Sequence, residues 1–254
     1  MLGHEIFGSG AERVIVLNDW LSDTSSWDSA RPYLDTAAYT WAFTDLRGYG
    51  RSRGQSGAFD LEEAAEDVIA LADSLAWPKF HVVGHSMSTL VTLHVAQRFP
   101  DRVGRVVLVT PPPPAGFHYD AATFSALGEV ALGDDDRRRK ALAFMFGTRL
   151  SPGWLRFKLA RWRQTSEPRA VAGYLPVFGV RGLPDLETRV RCPVLAITGE
   201  ADAEPMRSGP VRTALAPLAE HLTVEPIVES GHYPMQETPP LFVAKLERFL
   251  AEAT

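Results

Sequence analysis

Short apolar runs rich in Val, Ile and Leu alternate along this chain with longer stretches whose apolar positions recur every three to four residues. Runs at residues 13–17, 41–44, 80–83, 105–109, 194–197 and 223–228 predict strands, because short, nearly continuous apolar runs suit strands covered on both faces. Between them, residues 61–75 put Leu61, Ala64, Ala65, Val68, Ala72 and Leu75 on one stripe, with Glu62, Glu63, Glu66 and Asp67 elsewhere. That is the pattern of a surface helix. Residues 87–99 are apolar on most sides, as for a helix wedged inside the fold, and Pro100 closes it. The alternation predicts the α/β class, with a mostly parallel sheet flanked by helices.

Pro111, Pro112, Pro113 and Pro114 break the pattern, since four prolines cannot extend a sheet strand and instead stiffen the exit from it. From there to about residue 188 the periodicity is helical, with candidates at 119–132, 134–146, 152–163 and 167–178 and no strong strand. The division is therefore 1–114 with 189–254 for the α/β core, and 115–188 for a helical insertion. The basic run Arg137, Arg138, Arg139 and Lys140 follows Asp134, Asp135 and Asp136 and reads as a solvated, charge-compensated face.

Composition narrows the class. A chain of 254 residues with one cysteine, Cys192, is long enough for a full core and has no intrachain disulfide. Cys192 is expected to be a buried, reduced thiol. A net charge of −5 offers no basic field for phosphates, so no nucleic-acid partner is expected. The amino terminus lacks the basic start and apolar core of a signal peptide, and no apolar run spans a bilayer. The expectation is a cytoplasmic protein without a membrane partner.

Candidate chemistry centres on Ser86. In Gly84-His85-Ser86-Met87-Ser88 a strand candidate meets a serine and then a helix, the layout of a strained turn that lifts a hydroxyl over a helix amino terminus. The segment carries the first glycine and the serine of GxSxG, with Ser88 at the second glycine. Further on, Gly199-Glu200-Ala201-Asp202 follows one strand candidate and Ser230-Gly231-His232 follows the last. The chain resembles the α/β-hydrolase family in these motifs and in Asp45-Leu46-Arg47-Gly48-Tyr49-Gly50-Arg51-Ser52, whose family role is structural.

That resemblance implies an α/β-hydrolase fold in which residues 115–188 form a helical cap over the active site. It implies a catalytic triad of Ser86 as nucleophile, His232 as base and Asp202 as the acid that orients it. Glu200 and Glu204 flank Asp202 and stay open as alternatives for the acid. The backbone amides of Met87 and Trp20 would form the oxyanion hole. Here Asn18-Asp19 stands where many relatives have His-Gly, and the turn survives because Asp tolerates positive φ better than most residues. His85 flanks the nucleophile and packs or binds. The insertion is rich in aromatics; most should fill its own core, with the rest lining an apolar pocket. His85, Phe144, Trp154, Phe157 and Trp162 are the candidates for substrate contact. The implied function is an esterase or lactonase acting on a largely apolar small molecule, with no cofactor and no metal. Carbon–carbon bond hydrolysis, cofactor-free dioxygenation and ligand sensing with slow turnover are the alternatives on the same scaffold.

Overall fold

A computed structural model describes residues 1–146 and 149–252; residues 147–148 of the expected insertion and 253–254 of the expected core lie outside the described residues. Seven strands form one sheet: β1 (His4–Phe7), β2 (Glu12–Leu17), β3 (Tyr39–Thr44), β4 (Phe80–His85), β5 (Val103–Val109), β6 (Val194–Gly199) and β7 (Leu222–Ile227). Their order is β1-β3-β2-β4-β5-β6-β7. All pairs are parallel except β1 with β3. Every expected strand is present within a few residues. The addition is β1, a four-residue edge strand too short to announce itself by periodicity.

The helices are α1 (Leu61–Ser74), α2 (Ser88–Arg98), α3 (Ala121–Leu132), α4 (Asp135–Phe146), α5 (Pro152–Thr165), α6 (Pro168–Pro176), α7 (Ser208–Leu215), α8 (Pro234–Glu237) and α9 (Pro239–Leu250). Along β2, Ile15 and Leu17 join the core beneath α1 and α2, while Val14 and Val16 join the core beneath α9. Residues 14–17 of β2, 106–109 of β5 and 194–197 of β6 are continuously apolar because both faces are covered there. In α1 the buried residues Leu61, Ala64, Ala65, Val68 and Ala72 lie on the expected stripe.

The four helices α3 to α6 occupy the interval between β5 and β6, as the periodicity predicts. The last is shorter than expected: Pro176 supplies no backbone N–H, and the chain widens into a π-helical turn at Val177–Arg181 that ends at Gly182, φ +65°. Of the basic run, Arg137, Arg139 and Lys140 pair with exposed carboxylates of Glu129 and Asp136. Arg138 departs from the expectation and folds over the Trp162 ring, 5.5 Å from its centroid. Cys192 is half-buried rather than fully buried, and its desolvation pushes the thiol up to about 11. Among the described residues no helix is long and apolar enough to cross a membrane.

Candidate active site

The site lies at the carboxyl ends of the central strands, where a sheet of this topology places a ligand. Ser86 sits between β4 and α2 with φ +56°, in the left-handed region. Its neighbours fix that conformation. The Ser86 amide donates to the Val109 carbonyl at 2.9 Å, and the Thr89 hydroxyl donates to the Ser86 carbonyl at 2.6 Å. A Cβ on Gly84 would run into the Thr92 hydroxyl and the Ser88 backbone, so the first glycine of the motif is a packing requirement. Ser88 explains itself as well. Fully buried, it accepts from the His85 amide at 2.9 Å and donates to the His85 carbonyl at 3.1 Å, closing the turn where relatives have glycine.

The hydroxyl of Ser86 lies 3.0 Å from His232 Nε2, and His232 Nδ1 lies 2.7 Å from Asp202 Oδ2. Burial works against a charge on His232, but the Asp202 carboxylate outweighs it and raises the imidazole above its ordinary value. Burial likewise pushes Asp202 up, and the facing His232 brings it below the usual carboxylate range. The flanking acids are elsewhere. Glu200 accepts from the Ser208 amide and the Thr198 hydroxyl at 3.1 Å each, and Glu204 is exposed.

His232 is held from several sides. Its carbonyl accepts from His85 Nε2 at 2.7 Å and from the Thr110 hydroxyl at 3.1 Å. The buried Glu237 carboxylate accepts from the amides on either side of it, Gly231 at 2.9 Å and Tyr233 at 3.0 Å, and pairs with Arg149. A Cβ on Gly199 would strike the Gly231 carbonyl, so that glycine lets the Asp202 and His232 loops cross. Neither Thr110 nor Glu237 stands out by residue type. Glu237 lies five residues past His232, within reach of the loop.

After β2 the chain turns through Asn18, Asp19 and Trp20. Neither Asn18 nor Asp19 takes a positive φ among the described residues, contrary to the expectation that this turn needs one. Side chains shape it instead. Asn18 donates to the carbonyls of Asp19 and Ser22, and accepts from the Leu46 amide at 2.8 Å. Asp19 Oδ1 accepts from the amides of Leu21 at 2.6 Å and Ser22 at 2.8 Å. Asp19 Oδ2 meets the ammonium of Lys158, from α5, at 2.8 Å, with both side chains about 1% exposed. Burial opposes the Asp19 charge, and Lys158 foremost overcomes it, holding the carboxyl well below its usual range. Trp20 is anchored through its indole to the Val171 carbonyl of α6 and through its own carbonyl to the Tyr49 hydroxyl. Among the described residues the amides of Trp20 and Met87 have no hydrogen-bond partner, and Trp20 borders the same cavity as Ser86.

That cavity holds about 320 Å³ and is walled mainly by Trp20, Leu21, Phe117, Tyr119, Phe146, Phe178, Met206 and Tyr233, with Ser86 and His232 at its floor. Of the expected contacts only Phe144 borders it, at the rim and 90% exposed. The other four are corrected. Trp162 is buried against Trp20, its centroid 6.2 Å away, and fills the core. Trp154 packs edge-on behind Phe146 and Tyr233, with its indole on Gln236. Phe157 lies on the outer face of α5, 46% exposed. His85 is buried under the elbow, and its burial lowers the imidazole below its ordinary value. Lys158 is the residue the sequence reading missed. It lies four residues from both Trp154 and Trp162, so all three share one helical face; that spacing was the available signal.

Among the described residues no group of three or more His, Cys, Asp or Glu side chains is arranged to hold a metal ion. Replacing Ser88 by Ala should leave the His85 amide buried and unpaired and lower stability by about 1–3 kcal/mol. Urea unfolding checks this, and a midpoint equal to wild type would contradict it.

Comparison with known proteins adds the lineage. A 105-residue segment is 34% identical to the dihydrolipoyllysine-residue acetyltransferase component of the acetoin cleaving system from Pseudomonas putida, covering 41% of this chain and 28% of that protein. A pimeloyl-[acyl-carrier protein] methyl ester esterase from Sodalis glossinidius is 37% identical over 107 residues, 42% of this chain and 39% of that one. The matched segments thus span less than half of either relative. A hydrolase from Oleispira antarctica superposes with a TM-score of 0.85 at 18% identity, covering 98% of this chain and 94% of that one. The sequence profile of the alpha/beta hydrolase fold matches residues 13–184, and the chain belongs to the α/β-hydrolase family.

Proposed function

We propose that the chain is a serine hydrolase that cleaves a carboxylic ester or lactone of a largely apolar small molecule. The line Ser86–His232–Asp202, with spacings of 3.0 and 2.7 Å and two unclaimed amides beside it, is the observation that carries the reading. Similarity to a protein named as a methyl ester esterase supports ester chemistry. In this reading Ser86 Oγ attacks the carbonyl carbon while His232 Nε2 takes its proton, and Asp202 holds the imidazole with Nδ1–H toward the carboxylate. The amides of Trp20 and Met87 donate to the oxygen that gains negative charge. His232 then returns the proton to the leaving alkoxide. Water, deprotonated by the same imidazole, releases the acyl group. Residues 115–188 act as a cap, their Phe117, Tyr119, Phe146 and Phe178 roofing the cavity.

Substrate class follows from the walls. Asp19 and Asp202 are the charged groups that border the cavity, and both are already paired. A neutral, apolar acyl or alcohol body of small to moderate size fits a space of about 320 Å³.

A fluorophosphonate should label Ser86, and Ser86→Ala or His232→Ala should lower kcat by roughly 10⁴ or more, because each removes the same proton-coupled attack. Labelling of a different serine in folded protein, or near-normal turnover by either variant, would refute the nucleophile. Asp202→Asn should cost roughly 10³ to 10⁴ in kcat through the wrong imidazole tautomer.

The base works only when neutral, and Asp202 raises the imidazole. Wild-type kcat/KM should therefore fall with acid along a limb centred above about 6.5, the ordinary imidazole value. In Asp202→Asn the limb should move to lower pH. A wild-type limb centred below that value would contradict the assignment.

Lengthening an ester's acyl chain should raise kcat/KM by roughly threefold per buried methylene until the cavity is full. Phe117→Ala and Phe178→Ala should flatten that profile, whereas Phe157→Ala should leave it unchanged. Equal effects from all three would mean that the cavity walls are misassigned.

A further inference from the structure

Lys158 has a chemical position that packing alone does not require. Its ammonium lies 2.8 Å from Asp19 Oδ2, 2.7 Å from the Ser22 hydroxyl and 3.3 Å from the Ser26 hydroxyl, and 4.3 Å from the Tyr233 ring centroid. Three N–H groups thus have three oxygen acceptors, and the aromatic face closes the fourth side. A lysine this buried is costly unless every charge is matched. The match is Asp19, which begins the turn that presents the Trp20 amide and which borders the cavity beside Ser86. A carboxylate there faces a conflict. It is useful as a fold element, because Oδ1 gathers the Leu21 and Ser22 amides. It is harmful as a charge, because a second negative charge is to develop in the same cavity, whose walls are mostly apolar and where Coulomb interactions are weakly screened.

We propose that Lys158 is a positioning residue for the oxyanion site, one that cancels the Asp19 charge and fixes the turn carrying the Trp20 amide. The inference rests on the reading of Ser86 as nucleophile. Because Lys158 belongs to α5, the inserted helices supply part of the electrostatics of the reaction and not only a roof. Docking of α5 and competence of the oxyanion site are therefore one event. The neighbouring groups agree with that role. His85 Nδ1 also faces Asp19 Oδ2, but at 3.6 Å and with no hydrogen bond at that nitrogen, whereas the Lys158 ammonium sits at 2.8 Å, so Lys158 is the closer compensating group for Asp19. Arg161, one turn further along α5, is committed to Asp23.

The test separates charge balance from scaffolding. Lys158→Met, Asp19→Asn and the double variant are compared on a p-nitrophenyl ester, with active sites counted by exhaustive fluorophosphonate titration and folding checked by circular dichroism. Lys158→Met leaves an uncompensated carboxylate and should lose at least about 30-fold in kcat, with KM changed by less than about threefold. The double variant removes both charges and should recover at least about fivefold of that loss, although it lacks more native contacts. A merely structural lysine predicts the opposite order, with the double variant no faster than the single one. That order, or a Lys158→Met enzyme with a smaller loss, overturns the proposal. If Lys158→Met does not fold, a double variant within about tenfold of wild-type kcat supports the proposal and a slower one overturns it. Should neither fold, Asp19→Asn is held to the same threshold. Failure of the underlying reading looks different: wild type would then escape labelling at Ser86, or Ser86→Ala would keep its turnover.

Discussion

One buried ion pair, Asp19 with Lys158, joins three parts of this molecule that lie far apart along the chain. It links the turn after β2, the inward face of α5, and Tyr233 beside His232. Removing either partner alone would strand a charge in the interior, which costs far more than the pair itself contributes. The surrounding elements are consequently bound to one arrangement. Trp20 docks on α6, Ser166 donates to the Leu21 carbonyl, and Arg161 pairs with Asp23. The turn is thus held to the inserted helices by polar contacts with specific geometry, where apolar packing alone would allow sliding.

The α/β layout was legible because it is written in residue types that only one environment tolerates. Runs such as Val106, Val107, Leu108 and Val109 have no polar face, so the sheet had to be covered twice. The elbow, the Asp202 loop and the His232 loop were legible for a different reason. Each places a chemically distinctive residue just after a strand, where a parallel sheet brings its loops together. In contrast, β1 carries its meaning in backbone pairing with β3, which leaves little trace in four residues.

The misassignment of Phe157 has a local cause. Hydrophobicity is a poor guide to which side of α5 faces inward, and on this helix it points the wrong way for two adjacent residues. Phe157 faces solvent while Lys158 is buried. The correct face is marked by Trp154, Lys158 and Trp162 at four-residue spacing, a stripe that contains a cation and so escapes an apolar count. Glu237 and Thr110 were invisible for a related reason. Their work is to accept from or donate to the backbone around His232, and backbone partners cannot be read from residue identity.

The same polar bookkeeping limits what the cavity can receive. Among the described residues, each carboxylate that reaches it is matched: Asp19 by Lys158, and Asp202 by His232. Lys158 in turn has its donors occupied by Asp19, Ser22 and Ser26, so it cannot greet an anionic substrate without abandoning a buried carboxylate. An anion entering the cavity would lose its hydration and meet aromatic walls, an exchange that is unfavourable without a free cation. A neutral body loses only apolar hydration, which favours entry. Under the proposed function, the ion pair that secures the turn would therefore also select against charge, and the negative charge is to develop only after binding, on an oxygen beside two unclaimed amides.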